Sequence, residues 1–259
     1  MIRKIYLMFL FFIVSVTIHG QQEKVDKRNN YRFNNYIEMN ALVGNQIYGG
    51  NVGWSHFHQV LKKHTAFKIG YGVRFHTWFE FEKNYVTAPS QLTKGAGGPM
   101  GIFNETITGN LDTLFMTRSQ ANALNIFFSV QYTFFKRLDV GLNVDIAGWG
   151  IGAAQTASYK SSKNIPGAFP EAQDVYPTGF NVQLLGDNNI GSLHHEIFAR
   201  FWMNNQWALK ASLNYTCTEY STVNPLRLQN HRFRTHDFSG SIGITYCPWR
   251  SEIFIRDDR

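Results

Sequence analysis

From Tyr36 to Tyr246 the chain repeats one pattern, in which apolar and polar side chains alternate in long runs. Between Ala121 and Phe135, Leu124, Ile126, Phe128, Val130, Tyr132 and Phe134 fall on one face, and Asn125, Ser129, Gln131 and Thr133 on the other. Successive side chains of a strand point to opposite sides, so this run reads as a strand with one oily and one wet face. From Asp139 to Trp149, Val140, Leu142, Val144 and Ile146 oppose Asn143 and Asp145. From Trp207, Trp207, Leu209, Ala211, Leu213 and Tyr215 oppose Lys210, Ser212, Asn214 and Thr216. Arg234 to Tyr246 sets Phe238, Ile242, Ile244 and Tyr246 against Asp237, Ser239, Ser241 and Thr245. Thr65 to Glu82 sets Phe67, Ile69, Tyr71, Val73, Phe75, Phe79 and Phe81 against Lys68, Arg74, His76 and Glu80. Ile190 to Asn204 sets Leu193, Ile197, Phe201 and Met203 against Ser192, His194, Glu196 and Arg200. Two runs are less regular. Tyr36 to Gly44 opposes Ile37, Met39, Ala41 and Val43 to Glu38 and Asn40, and Gly-rich Ile47 to His58 puts Tyr48, Val52 and Trp54 on its apolar side. The pattern therefore predicts eight strands.

Connections alternate in length. Those near Lys62, at Lys136–Leu138 and at Asn204–Gln206 are short, while Asn84–Arg118, Gln155–Asn189 and Thr222–Phe233 are long. An even number of strands with short turns at one end and long loops at the other is the layout of a transmembrane β-barrel, whose short turns face the periplasm. A soluble exported sandwich or lipocalin-like barrel shares the alternation, with the apolar face buried instead. Three features favour the membrane: strands of about ten residues or more, polar faces carrying charges of both signs, and tryptophans at strand ends (Trp54, Trp78, Trp149, Trp202, Trp207 and Trp249).

The first 20 residues read as a cleaved export signal: basic Arg3 and Lys4, an apolar run from Ile5 to Ile18 broken by Ser15 and Thr17, then His19 and Gly20 before polar Gln21 and Gln22. No later apolar stretch is long enough for a membrane helix. The expected organisation is a signal at 1–20, a periplasmic segment at 21–34, the barrel at 35–249 and a charged tail at 250–259. Without Arg3 and Lys4, the whole-chain charge of +7 becomes +5. That charge is spread along the chain and does not form the concentrated patch that nucleic-acid binding needs. Aromatic residues make up 15% of the chain, enough to clothe a lipid face and its interfacial girdles.

In their architecture these strands resemble the small eight-stranded outer-membrane barrels of the OmpA-like and OmpX-like kind, over roughly Tyr36–Trp249, and the segments Val140–Gly150 (VGLNVDIAGWG) and Leu184–Ser192 (LLGDNNIGS) look similar to uncharacterised outer-membrane barrel proteins. The resemblance implies an all-β, eight-stranded antiparallel up-and-down barrel in the outer membrane. Its implied partners are outer-membrane lipid and the barrel-assembly machinery. Family members usually end on an aromatic residue; here Tyr246 and Trp249 are followed by the tail Arg250–Arg259.

A barrel of eight strands has room inside only for side chains. The inward positions predict a hydrogen-bonded ionic plug of Glu38, Lys68, Arg74, Asp145, Glu196, Arg200, Lys210 and Asp237. A hairpin centred on Asn205 sets Arg200 opposite Lys210, so an acid from another strand must separate the two cations, with Asp145 and Glu196 as candidates. A narrow ion path is the other use of such an interior.

Ser192, His194 and Glu196 share one strand face and are the parts of an acyl-transfer site. Same-face neighbours lie nearly 7 Å apart, however, too far for a direct relay. They are the only catalytic candidates, and a lipid-modifying enzyme is the second functional reading. His56, His58 and His64 lack a Cys or carboxylate to complete a metal site. Gly95–Gly101 lacks the terminal Gly-Lys-Ser/Thr of a nucleotide loop. Cys217 and Cys247 fall at opposite ends of their strands, beyond the ~7 Å reach of a disulfide. No cofactor or metal is expected, and the barrel is expected to be monomeric. The leading role is structural, or recognition of an extracellular ligand by loops such as Asn84–Arg118 and Gln155–Asn189.

Overall fold

A computed structural model describes residues 33–60, 66–97, 103–135, 137–163, 169–184, 188–204 and 206–248. The expected signal at 1–20, the turn around Lys62, His64, Trp249 and the tail 250–259 lie outside the described residues. The strands are β1 (Phe33–Gly44), β2 (Ile47–Gln59), β3 (Phe67–Thr87), β4 (Thr113–Phe134), β5 (Leu138–Ile151), β6 (Gln155–Lys160), β7 (Ala172–Pro177), β8 (Phe180–Val182), β9 (Leu193–Trp202), β10 (Trp207–Thr222) and β11 (Arg232–Tyr246).

Eight of them close a ring. Each of β1–β4 pairs antiparallel with the next, β5 pairs with β9, β9 with β10, β10 with β11, and β11 returns to β1. The alternation predicted this ring, but β1 begins at Phe33, inside the stretch expected to precede the barrel.

Burial is reversed relative to a soluble barrel. Ile37, Met39, Val52, Phe75, Leu142, Ile197, Leu213, Phe238 and Ile242 are exposed on the outside. Glu38, Lys68, Arg74, Asp145, Glu196, Arg200 and Lys210 are all under 9% exposed inside. Soluble monomers rarely expose apolar patches beyond a few hundred Å², and here the apolar belt runs around the ring. An oily belt outside a polar interior is what a lipid-embedded barrel presents. The chain is an eight-stranded antiparallel transmembrane β-barrel. Among the described residues, no helix is long and apolar enough to cross a membrane.

Two local devices fit bulk into the narrow bore. Gly72 pairs with Phe127 and Gly141 with Phe198. A Cβ on Gly72 would stand 2.5 Å from the Phe127 ring, and one on Gly141 2.6 Å from the Phe198 ring. Glycine lets each inward phenylalanine lie against its neighbour's backbone. In addition, the β4–β5 register shifts between Ile126 and Phe127. Such a bulge flips the side-chain parity, so Asp145 points in and both Ile146 and Trp149 point out.

The long connections depart from expectation. The residues assigned to loop at 84–87 and 113–118 extend β3 and β4, and the stretch 155–189 contains β6, β7 and β8. Above the β1–β2 hairpin, β11 pairs directly with β3 through Phe233 and Thr87. There β4 pairs with β6, β6 with β7, and β7 with β10. The long-loop end is thus a second, smaller ring of β3, β4, β6, β7, β10 and β11, here called the turret. Where β5 leaves β4, the Gln155 side chain accepts from the Gln120 amide (2.9 Å) and donates to its carbonyl (2.8 Å), continuing the ladder.

The turret is filled by an apolar core that includes Trp78, Tyr85, Leu114, Met116, Tyr159, Val175, Tyr220 and Phe233. Trp78 and Trp202, assigned above to the interfacial girdle, are each only 1% exposed and lie inside. Leu193, expected on the outer apolar face, is also buried. Trp149 and Trp207 are exposed outside.

Candidate functional site

The interior of the ring is the first candidate site, and its elements are ion pairs. Arg200 on β9 stands opposite Lys210 on β10. The acid that separates them is Glu38 of β1. It accepts hydrogen bonds from Arg200 Nη2 and, at 2.8 Å, from Lys210 Nζ. Glu196 reaches Lys210 at 2.7 Å but not Arg200, and Asp145 binds neither cation. Asp145 instead accepts from Arg74 Nε (2.9 Å) and Nη2 (2.6 Å), from Asn125 (2.6 Å) and from the His194 amide (2.9 Å). Arg74 also donates to Glu196 at 3.0 Å and to the His194 carbonyl at 2.5 Å. One chain of contacts therefore runs Asp145–Arg74–Glu196–Lys210–Glu38–Arg200.

Asp139 extends it. Asp139 accepts from Arg200 (3.4 Å), from Trp202 Nε1 (2.7 Å) and from Thr133 (2.7 Å). Asp139 had been read only as the start of a strand. With buried Lys68, set between Gln59 and Gln131, the interior holds Lys68, Arg74, Arg200 and Lys210 against Glu38, Asp139, Asp145 and Glu196. Cations and carboxylates balance in number. The inward rings add to this: Arg200 lies over Tyr36 and Phe198, Lys210 over Phe198, and Arg74 over Phe127. Asp237 stands apart, accepting from Lys83, which also reaches the Asn45 carbonyl of the β1–β2 hairpin turn.

The three catalytic candidates are inward and buried, and each is engaged elsewhere. Ser192 Oγ accepts from the Glu219 amide at 3.2 Å. His194 Nδ1 bonds Thr216 Oγ1 at 3.0 Å. Glu196 belongs to the ion-pair chain. Among the described residues, the side-chain hydrogen bonds of these three do not link Ser192 to His194 or His194 to Glu196. His194 packs beside His76 with ring centroids 4.7 Å apart, under the turret core. His56 and His58 lie on the outer face beside Trp54 and Tyr71, as girdle aromatics near the short-turn end. No group of three metal-ligating side chains is found among the described residues.

The second candidate site is the turret rim. Asp112 before β4 is held by Arg227 of the β10–β11 connection through Nε (3.0 and 3.1 Å) and Nη2 (2.8 Å). Tyr159 (2.8 Å) and the Ser162 amide (2.8 Å) complete its shell. This clamp ties all three long connections together. Burial pushes the Asp112 carboxyl up, but hydrogen bonds from Arg227, Ser162 and Tyr159 outweigh it and hold the group below its ordinary value. Beside the clamp, Leu228 and Gln229 both adopt positive φ (60° and 57°), a conformation that costs about 1–2 kcal/mol per non-glycine residue. Leu228 and Phe103 project into solvent. The sequence marked these loops as binding surfaces but carried no sign of the clamp, whose members come from three separated segments.

Cys217 pairs opposite His236, while Cys247 follows Tyr246, the partner of Trp207. Ten strand residues lie between the two levels, about 33 Å at ~3.3 Å per residue. Both cysteines are buried, and they are not bridged to each other. Titration of denatured, unreduced protein should therefore find two thiols; finding none would contradict this register.

No family model matches the chain, and no curated protein matches it. Solved structures do. The chain is similar to a major outer membrane protein from Thermus thermophilus, with 11% identity, 83% of this chain and 98% of that one covered, and a TM-score of 0.36. It is similar to Neisserial surface protein A, with 6% identity, 84% and 99% covered, and a TM-score of 0.37. It is also similar to the Yersinia pestis outer membrane protein Ail, with 9% identity, 83% and 99% covered, and a TM-score of 0.36.

Proposed function

We propose that this protein is an outer-membrane recognition barrel: an ion-plugged ring seated in lipid, with its turret and loop rim displayed on the cell surface. The observation that carries this reading is the turret itself. A ring packed with Trp78, Tyr85, Tyr159, Tyr220 and Phe233 stands directly above the ionic interior. Two such buried layers stacked along the axis favour a plug over a path for solutes, which leaves the rim as the surface for function. Rigid support suits a binding surface, because little ordering entropy is lost on contact.

Two measurements test the reading. Cysteines introduced at Phe103 and Leu228 should react with a membrane-impermeant reagent in intact cells; labelling only after permeabilisation would sink the topology. Purified barrel in a planar bilayer should give no stable conductance steps, whereas reproducible steps would restore the pore. The enzyme reading rests on Ser192, His194 and Glu196, whose bonds lead away from one another. Outer-membrane lipid masses should accordingly be the same with and without the protein.

A further inference from the structure

The outer wall of β9, β10 and β11 carries polar groups where the apolar belt stops. On β10, exposed Leu209 and Leu213 are followed on the same face by Tyr215, Cys217 and Glu219. On β11, exposed Ile242 and Phe238 are followed on the same face by His236, Arg234 and Arg232. His195 of β9 lies opposite Tyr215. At the other edge of the belt, Trp207 packs on Tyr246 at 4.7 Å. From that pair to the Cys217–His236 level is ten residues, about 33 Å along the strand, and at a tilt of ~40° about 25 Å in height. That matches the apolar thickness of a barrel belt, so exposed His236 and part-exposed Arg232 stand at headgroup height on the outer wall, with Arg234 buried beside them.

The cluster is built rather than scattered. The rings of His195, Tyr215 and His236 stack across three strands, with centroids 6.2 and 5.4 Å apart and planes within 14° and 8°. The Tyr215 hydroxyl and His236 Nδ1 share a hydrogen bond of 2.9 Å that fixes the imidazole. Arg232 spans Glu219 with bonds of 2.7 and 2.9 Å. Arg234, 4% exposed, has Nε 3.7 Å from Glu219, beyond a hydrogen bond, and that nitrogen has no partner among the described residues. Both arginines donate Nη2 to the Asn189 carbonyl, at 2.7 and 3.0 Å, and Gly191 N donates to Glu219 at 3.2 Å. The 188–191 segment thus straps the guanidinium groups against the outer wall. Among the described residues of this wall, two arginines stand against one glutamate, Arg232 partly exposed and Arg234 buried behind it.

We propose that this patch binds the phosphate-bearing headgroup of a lipid of the surrounding leaflet, taken by Arg232 and His236, with the buried Arg234 guanidinium behind them. An oily belt below holds the acyl chains, a cation at headgroup height favours an anion, and the planar guanidinium suits phosphate oxygens. This rests on the membrane reading above.

The test is native mass spectrometry of the purified barrel from detergent, with added phosphorylated lipid A or the same lipid after enzymatic dephosphorylation. The wild type should retain the phosphorylated form at least about tenfold better, the scale of one charge-assisted contact. Arg232→Gln with His236→Ala should abolish the preference, while Arg118→Ala, on β4 away from the patch, should preserve it. If the double variant lacks the heat-shifted folded band, His236→Ala alone is read, and its preference should fall. A folded wild type that does not discriminate the two lipids, or variants that keep the preference, would overturn the site alone. A wild type that fails to insert into vesicles would overturn the membrane reading and this one with it.

Discussion

Glu38→Ala should destabilise the barrel by about 3–5 kcal/mol, the usual cost of removing one partner from a buried ion pair. Glu38 bridges two cations that the β9–β10 register sets face to face. Without it, Arg200 keeps Asp139 at 3.4 Å and Lys210 keeps Glu196 at 2.7 Å. The buried network then holds four cations and three carboxylates. Thr245, which receives Arg200 Nε and donates to Glu38, loses its acceptor as well. The measurement is urea unfolding in vesicles, followed by the heat-dependent gel shift. Glu38→Gln keeps the volume and part of the hydrogen bonding and should fall between the two. Adding Lys210→Met to Glu38→Gln removes the surplus charge and should recover part of the loss, since pairs deleted together cost less than halves deleted singly. A Glu38→Ala barrel within about 1 kcal/mol of wild type, well short of that cost, would mean that this bridge does not hold the interior together.

The ring was legible because period-2 alternation survives wherever one face meets lipid and the other meets charge. Leu124–Phe134 and Trp207–Tyr215 obey it at every position but one each, the inward Phe127 and Ala208. The facing cations Arg200 and Lys210 followed from hairpin symmetry alone. Which acid lies between them did not, because Glu38 is 162 residues from Arg200 and meets it only when β11 closes on β1. The tryptophans misled for a related reason. Trp78 and Trp202 sit at even, inward positions of their strands, and parity overrides the tendency of tryptophan to mark an interface.

The turret was hidden by the shortness of its strands. Gln155–Lys160 and Ala172–Pro177 have six residues each, and in each the alternating core positions number only two or three. A run that brief cannot be separated from a polar loop until its neighbours are known. A related limit hid the polar patch on the outer wall: Arg232 falls in the connection Thr222–Phe233, and Glu219 lies past the last patterned residue of its strand, until the β10–β11 register puts both beside Arg234.

Arg227→Ala should loosen the turret while leaving the ring intact. Arg227 supplies three of the contacts to Asp112 and also reaches Gly109 and Ser162, so its loss releases connections that otherwise hold one another. Hydrogen bonds to charged groups contribute about 1.5–3 kcal/mol, and we expect a local loss of roughly 2–3 kcal/mol on that basis. It should be read as faster cleavage in the 84–118 and 155–189 stretches by an added protease, with an unchanged heat shift. The same clamp carries a pH signature. The folded-state Asp112 carboxyl is depressed below its ordinary value, so its stabilisation is fully present above the unfolded carboxylate range, near ~3.9, and is lost as pH falls through the lower folded value. Between pH 8 and 5 protease resistance of the turret should be flat, and it should fall only below about pH 4. In Asp112→Asn that acid-driven fall should be much reduced, because the titrating group is gone. A wild-type turret that opens already between pH 7 and 5, or an Asp112→Asn turret with the full acid transition, would assign the pH response to some other group.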